Sequence, residues 1–161
     1  VSHLMSYSLC CVVRADHPRI GDELTLDAYL KERHAVLTFG SSAQPLLTER
    51  MIDSVLAQYE AKRKIAFYVP SFLALIDIVS KSDLLGIIPL PLAQEAARHQ
   101  RLRYFEPPIE LPDQNSVMVW HGRTKRDPGH KWLRSMLRRA MQVKANKQPK
   151  VALQFPIPQR L

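Results

Sequence analysis

Apolar and polar positions along the chain fall into blocks whose lengths suit short strands and amphipathic helices. The segment 7–14 is apolar and β-branched over the length of one strand, and a polar turn with Pro18 ends it. From Pro45 onward, apolar residues recur at helical spacing, which predicts a helix over 45–59. The same patterns predict further strands at 35–39, 64–69, 84–88, 102–105 and 116–121, and further helices within 20–33, 71–80, 89–100 and 128–143.

The order of these elements predicts the fold class. Strands alternate with helices along most of the chain, and only the last two strands follow one another directly. Such alternation is typical of an α/β fold with right-handed crossovers. We therefore expect a mixed, mainly parallel sheet flanked by helices, with ligands binding at the carboxyl ends of the strands.

Two strand-to-helix turns at that edge carry the candidate binding residues. The first turn is Gly40, Ser41 and Ser42, and the second contains Ser71 and Phe72. Amides at a helix N-terminus together with hydroxyls suit a carboxylate or another small anion, and the phenylalanine adds an aromatic wall. The alternative is that Ser42 and Ser71 are plain helix caps.

The composition is that of an ordinary globular chain with a charge asymmetry. Of 161 residues, 46% are apolar and 24% are charged, and no apolar run is long enough to span a membrane. The net charge is +8, but residues 1–122 hold 12 basic and 14 acidic side chains, whereas residues 123–161 hold 11 basic side chains and a single acid, Asp127. The basic end is either a solvated helix face and tail or a segment that attracts phosphates.

The sequence contains no recognisable catalytic or cofactor motif. Its five glycines fit neither a dinucleotide-binding fingerprint nor a P-loop, and there is no Gly-x-Ser-x-Gly elbow, no Cys-x-x-Cys pair and no paired histidine motif. Cys10 and Cys11 are adjacent, so on a strand they point to opposite faces and do not pair. We expect no enzyme activity, no cofactor, no metal, and a cytoplasmic location, which free thiols favour.

Five segments, in this order and spacing, resemble the regulatory domain of LysR-type transcriptional regulators, in the branch near the nodulation and aromatic-acid regulators. They cover most of the region 7–143. The segments are CCVVRADHP at 10–18, FYVPSF at 67–72, DLLGIIPLPLA at 83–93, VWH at 119–121 and RDPGHKWLR at 126–134.

The resemblance implies one Rossmann-like lobe of a type 2 periplasmic-binding-protein fold, joined to part of a second lobe. It also implies that the DNA-binding domain and the first half of lobe one are absent from this chain. Helix 128–143 would then lack its usual cover, so we expect it to dock on a neighbouring chain, to reposition, or to be poorly ordered. The implied divisions are 1–15 as a crossover strand of lobe one, 16–115 as the effector-binding lobe two, 116–143 as the return strand and helix of lobe one, and 144–161 as a basic, proline-containing tail.

The resemblance implies that the domain senses a small, anionic or aromatic effector with Gly40, Ser41, Ser42, Ser71 and Phe72. It implies a homodimer or homotetramer formed by the regulatory domains, with helix 45–59 and strand 64–69 at the interface. DNA would be contacted only through the missing domain, and no membrane is expected.

Three other functions stay open at this point. One is a solute-binding protein of a transporter, which shares the two-lobe architecture. Another is a small α/β enzyme with an unrecognised site. The third is a nucleic-acid binder that uses one exposed face formed by Arg126, Lys131, Arg134, Arg138 and Arg139.

Overall fold

The computed structural model describes residues 1–38 and 45–145, with the backbone alone for residues 142–145. Within these ranges the chain forms seven strands, five α-helices and one short 3-10 turn at Gly122–Thr124. The strands are β1 Ser2–Tyr7, β2 Leu9–Arg14, β3 Arg33–Leu37, β4 Lys64–Val69, β5 Leu84–Pro89, β6 Leu102–Phe105 and β7 Gln114–Met118. The helices are α1 Leu26–Lys31, α2 Leu47–Gln58, α3 Phe72–Ser80, α4 Leu90–His99 and α5 Pro128–Ala145.

The chain divides into two compact units. Among the described residues, one unit lies within 7–114, and the other combines residues 1–6 with residues 115–145. The first unit contains a five-stranded sheet in the order β4-β3-β5-β2-β6. Strand β3 pairs in parallel with β4 and β5, whereas β2 is antiparallel to both β5 and β6. The sheet is therefore mixed, as predicted, but its parallel and antiparallel pairings are equal in number, so it is not mainly parallel.

Two apolar clusters cover the two faces of this sheet because side chains alternate along each strand. Cys11 and Val13 pack with α1 and α2 side chains, while Cys10 and Val12 pack with α3 and α4 side chains. Because the two cysteines belong to different clusters, their thiols lie on opposite faces as expected. Both cysteines are free and buried. Gly86 lets α3 approach β5 closely, because a Cβ atom there would lie 2.5 Å from Leu75 Cδ2.

The other unit contains a two-stranded sheet of β1 and β7 and the helix α5. The Ser6 hydroxyl donates to Asn115 Oδ1 at 2.7 Å, which joins the two strands. The apolar pattern predicts a strand only from residue 7, although the resemblance implies a crossover strand at 1–15. Strand β7 begins earlier and ends earlier than the predicted strand at 116–121.

Helix α5 forms and carries an apolar stripe that stays exposed. Trp132 is 65% exposed, and Leu133, Met136 and Leu137 are exposed beside it. The docking of this stripe on a neighbouring chain stays a prediction. No helix among residues 1–38 and 45–145 combines the length and hydropathy that a bilayer-spanning segment needs.

Candidate functional site

The carboxyl ends of β3 and β4 lie side by side, with Leu37 paired to Val69. Just beyond, the Thr38 amide donates to the Val69 carbonyl at 2.9 Å, and the Leu46 amide donates to the Leu37 carbonyl at 3.2 Å. Thr38 and Pro45 form an isolated antiparallel bridge. The two strand-to-helix connections therefore leave the sheet from adjacent points, and we call this region the carboxyl edge.

Ser71 lies at this edge and caps α3. Its exposed hydroxyl oxygen accepts the Ala74 amide at 3.2 Å, which is the bond that the helix-cap alternative predicts. A serine hydroxyl has two lone pairs and one proton, so the cap bond leaves the proton for a second partner. Phe72 follows it, half-buried, and packs against the cluster that contains α3.

Gly40, Ser41 and Ser42 lie outside the described residues. Their proximity to Ser71 therefore stays a prediction.

A buried ion pair supports the carboxyl edge from within the unit. The Glu49 side chain is 2% exposed and lies in the first turn of α2, where its Oε1 accepts the Leu37 amide at 3.1 Å. Its Oε2 accepts Arg63 Nη1 at 2.7 Å. Arg63 also donates from Nη2 to the Glu49 carbonyl at 3.3 Å and to Asp53 Oδ1 at 2.7 Å.

A glutamate on an amphipathic helix is ordinarily solvated, but Glu49 of α2 is buried. Glu49, Ile52 and Leu56 are the buried residues of this helix, and they follow one another at spacings of three and four. The spacing of Glu49 from Ile52 and Leu56 in the sequence already places it on their face of the helix. Conversely, the apolar side chains of Leu47 and Tyr59 are exposed.

Two aromatic groups complete the buried polar region. The Tyr29 and His34 rings meet edge to face at 4.5 Å, and His34 Nε2 donates to the Tyr29 carbonyl at 2.9 Å. Burial lowers the pKa of His34 to about 4, and it raises the pKa of the Tyr29 phenol. Both groups are therefore neutral at neutral pH. Among the described residues, no three His, Cys, Asp or Glu side chains are arranged to hold a metal ion.

Comparison with known proteins identifies the family. The family model for the LysR substrate binding domain matches residues 1–142. The chain belongs to the LysR family. It is 28% identical over 131 residues to the HTH-type transcriptional regulator SyrM of Rhizobium meliloti (strain 1021), covering 81% of this chain and 39% of that protein. It is also 28% identical over 134 residues to Nodulation protein D 1 of Rhizobium tropici, covering 83% and 42%. The chain thus spans about two fifths of these relatives.

Solved structures agree on the fold of this LysR domain, the periplasmic-binding-protein-like fold of LysR effector-binding domains. The regulatory domain of MexT, a transcriptional activator in Pseudomonas aeruginosa, is 29% identical with a TM-score of 0.72, covering 85% of this chain and 65% of that domain. The effector binding domain of QuiR in complex with shikimate is 20% identical with a TM-score of 0.62, covering 88% and 65%. The BenM effector binding domain with benzoate is 16% identical with a TM-score of 0.55, covering 96% and 68%.

The Asp-His-Pro turn of this LysR domain has a structural role at the opposite, amino edge of the parallel strands. The His17 ring is fully buried, and its Nδ1 accepts the Arg19 and Ile20 amides at 3.4 and 3.3 Å. Arg19 forms two bonds to Glu32, at 2.8 and 2.7 Å, and reaches Asp83 at 3.3 Å. The Arg19 hydrogen bonds lower the pKa of Glu32. The network closes the turn.

The basic end of this LysR domain does not form the single exposed face that the nucleic-acid alternative needs. Arg134 is buried, lies 4.8 Å from the centre of the Trp120 ring, and donates to the Thr124 and Lys125 carbonyls at 3.3 and 3.1 Å. Arg134 therefore holds the turn that precedes α5. The exposed cations among the five named are Arg126, Lys131, Arg138 and Arg139.

Proposed function

We propose that this chain senses a small anionic or aromatic effector for a LysR-type transcriptional regulator. The observation that carries the proposal is the juxtaposition of the β3 and β4 ends, which brings two strand-to-helix connections to one edge in a chain that matches the substrate-binding domain. Open α/β sheets bind ligands at such an edge.

The proposed site residues have distinct roles. Ser71 donates its hydroxyl proton to an anionic oxygen while it continues to cap α3. The first amides of α3 have no partner within the helix and add two more donors. Phe72 contributes an apolar wall for a ring. Gly40, Ser41 and Ser42 complete the site from the neighbouring connection. The titles of two solved neighbours name ligands of this kind, shikimate and benzoate, and these two compounds are our first probes.

We propose further that the chain corresponds to lobe two at 16–115, flanked by lobe-one pieces at 1–15 and 116–143 and a tail at 144–161. The complete regulator acts in the cytoplasm, contacts DNA through an N-terminal domain outside this chain, and is not an enzyme. A second lobe closes over the carboxyl edge when the effector binds, because the effector has a higher affinity for the closed state.

We also propose that regulatory domains associate as a homodimer or homotetramer through α2 and β4. Strand β4 is the last strand of its sheet on one side, so one row of its backbone groups faces outward. It exposes Ile65, Phe67 and Tyr68, and Tyr59 lies exposed at the end of α2. An apolar edge of this kind is typical of an association surface.

A charge at Ser71 tests the ligand class. Ser71→Asp keeps a good helix cap but places a carboxylate where the effector anion would bind, whereas Ser71→Asn keeps the cap without a charge. We expect Ser71→Asp to weaken benzoate or shikimate binding at least tenfold by calorimetry, and Ser71→Asn to weaken it by less than threefold.

Ser54→Asp is the distant control, because its hydroxyl bonds the Arg50 carbonyl on an exposed part of α2. It should leave binding unchanged. Equal affinities of wild type and Ser71→Asp would remove Ser71 from the site.

A further inference from the structure

The Glu49–Arg63 pair connects three separate parts of the effector-binding unit. Arg63 lies just before the amino end of β4, and its guanidinium reaches the first turn of α2. From there Glu49 reaches the last amide of β3, that of Leu37. The Leu37 carbonyl in turn holds the Leu46 amide at the start of α2. Glu49 thus bonds the end of β3 directly and Arg63 before β4 in turn, beside a backbone bond between Leu37 and Leu46.

Stability alone does not require this ion pair. Both side chains are 2% exposed, so both charges lose most of their hydration. Apolar residues of similar size often give equal or higher stability at such positions. An ion pair with arginine is directional, unlike an apolar contact, because the planar guanidinium donates its hydrogen bonds in a fixed geometry. Four of the five Arg63 and Glu49 bonds end on backbone atoms or on the neighbouring Asp53.

We propose that Glu49 and Arg63 are positioning residues for effector binding. They touch no ligand, and they set effector affinity by fixing the distance between the end of β3 and the start of α2. This inference rests on the proposed function, because it takes the carboxyl edge as the effector site.

The chain supplies a matched control at the amino edge. Glu32 is also a buried carboxylate, with a side chain that is 6% exposed, and it is held by two Arg19 bonds at 2.8 and 2.7 Å. It lies directly before β3, at the strand end opposite to Leu37. Glu32→Gln therefore removes the charge of a buried carboxylate at the amino edge of the same sheet.

Hydrogen exchange tests the positioning role without any ligand. In the 161-residue chain, Glu49→Gln should speed exchange of the Leu37, Thr38 and Leu46 amides at least tenfold relative to β5 amides. Glu32→Gln should leave these three amides at their wild-type rates. The inference fails if the three amides keep their wild-type rates in Glu49→Gln, or if they accelerate only in step with β5.

A second pair of variants covers the case in which a lone buried charge unfolds the chain. Glu49→Gln combined with Arg63→Met removes both charges but keeps an oxygen for the Leu37 amide. Arg63→Lys keeps the charge without the two-pronged geometry. The double variant should fold and show the same local acceleration, and Arg63→Lys should fall between it and wild type. Wild-type exchange rates in a folded double variant would overturn the inference.

Calorimetry with benzoate and shikimate then connects position to affinity. We expect Glu49→Gln to weaken binding of whichever probe binds wild type by about tenfold, and Glu32→Gln to leave it unchanged. Unchanged affinity in Glu49→Gln overturns the inference while the proposed function stands. A wild-type chain that binds neither probe counts against the proposed function instead, and the exchange pattern then decides the positioning role alone.

Discussion

At the scale of single residues, the interior of the unit of residues 7–114 holds polar groups in defined protonation states. His34 is the clearest case, because its Nε2 donates to a carbonyl while its Nδ1 has no hydrogen-bond partner among the described residues. A proton on Nδ1 would have no acceptor within a buried site. The neutral imidazole is therefore a condition of the fold.

This condition predicts a loss of stability in mild acid. The pKa of His34 is about 4 in the folded chain, below its ordinary value of about 6.5 in the unfolded chain. The unfolded chain binds more protons between these values, so the free energy of unfolding falls as pH drops through that window. From pH 7 to pH 5 the loss amounts to about 2 kcal/mol.

Urea denaturation at the two pH values measures this effect. His34→Gln can still donate to the Tyr29 carbonyl but does not titrate, so its loss between pH 7 and pH 5 should be smaller by about 2 kcal/mol. His99→Gln is the control, because the His99 side chain is exposed on α4. Equal pH dependence in wild type and His34→Gln would contradict the neutral buried imidazole.

At the scale of elements, local sequence predicts most boundaries. Lys64–Val69 and Phe72–Ser80 agree with the predicted strand and helix, because a proline and a capping serine separate them. Strand β1 is not evident from its own apolar pattern, because its partner β7 lies far along the chain. The residues of β2 likewise do not reveal its direction. It runs antiparallel to β5 and β6, and that pairing depends on the path of the whole chain.

The candidate site was predictable only in part. The cap at Ser71 follows from local sequence, whereas the buried partnership of Glu49 with Arg63 depends on how α2 packs over the sheet. Glu49 shares a helix face with Ile52 and Leu56, and this position indicates burial once its cationic partner is known. Sequence alone does not identify that partner, because Arg63 lies in the connection after the helix.

The exposed edge strand predicts an effect on association. Phe67 is 56% exposed on β4, so Phe67→Glu would place a charge at the centre of the proposed interface. We expect sedimentation equilibrium to show at least a tenfold weaker self-association than in wild type. Leu73→Glu, an equally large change at an exposed position on α3, should leave association unchanged. The α2 and β4 interface would be wrong if the two variants behaved alike.

At the scale of the whole molecule, the two units differ in charge and in surface. The unit of residues 7–114 holds nearly balanced charges, whereas the other unit is strongly basic and exposes the stripe on α5. Its two tryptophans report on different environments, because Trp120 lies under Arg134 and Trp132 belongs to the stripe.

This difference predicts how acrylamide quenches the two indoles. In Trp120→Phe the remaining Trp132 should be quenched almost as fast as a free indole, whereas in Trp132→Phe the remaining Trp120 should be quenched severalfold more slowly. Measurement at low protein concentration gives the single chain. A Trp132 that is protected even there would mean that the stripe is covered within the chain.

The adjacent cysteines have a consequence for how unfolding can be followed. Each thiol is shielded by a different helical layer, Cys10 by α3 and α4 and Cys11 by α1 and α2. Burial raises the pKa of Cys10 to about 12 and that of Cys11 well above its usual value, so neither reacts as a thiolate in the native state. An alkylating reagent would modify each sulfur only when the helices that cover it detach from the sheet. The alkylation rates of these two neighbouring thiols would therefore report separately on the unfolding of the two faces of the sheet.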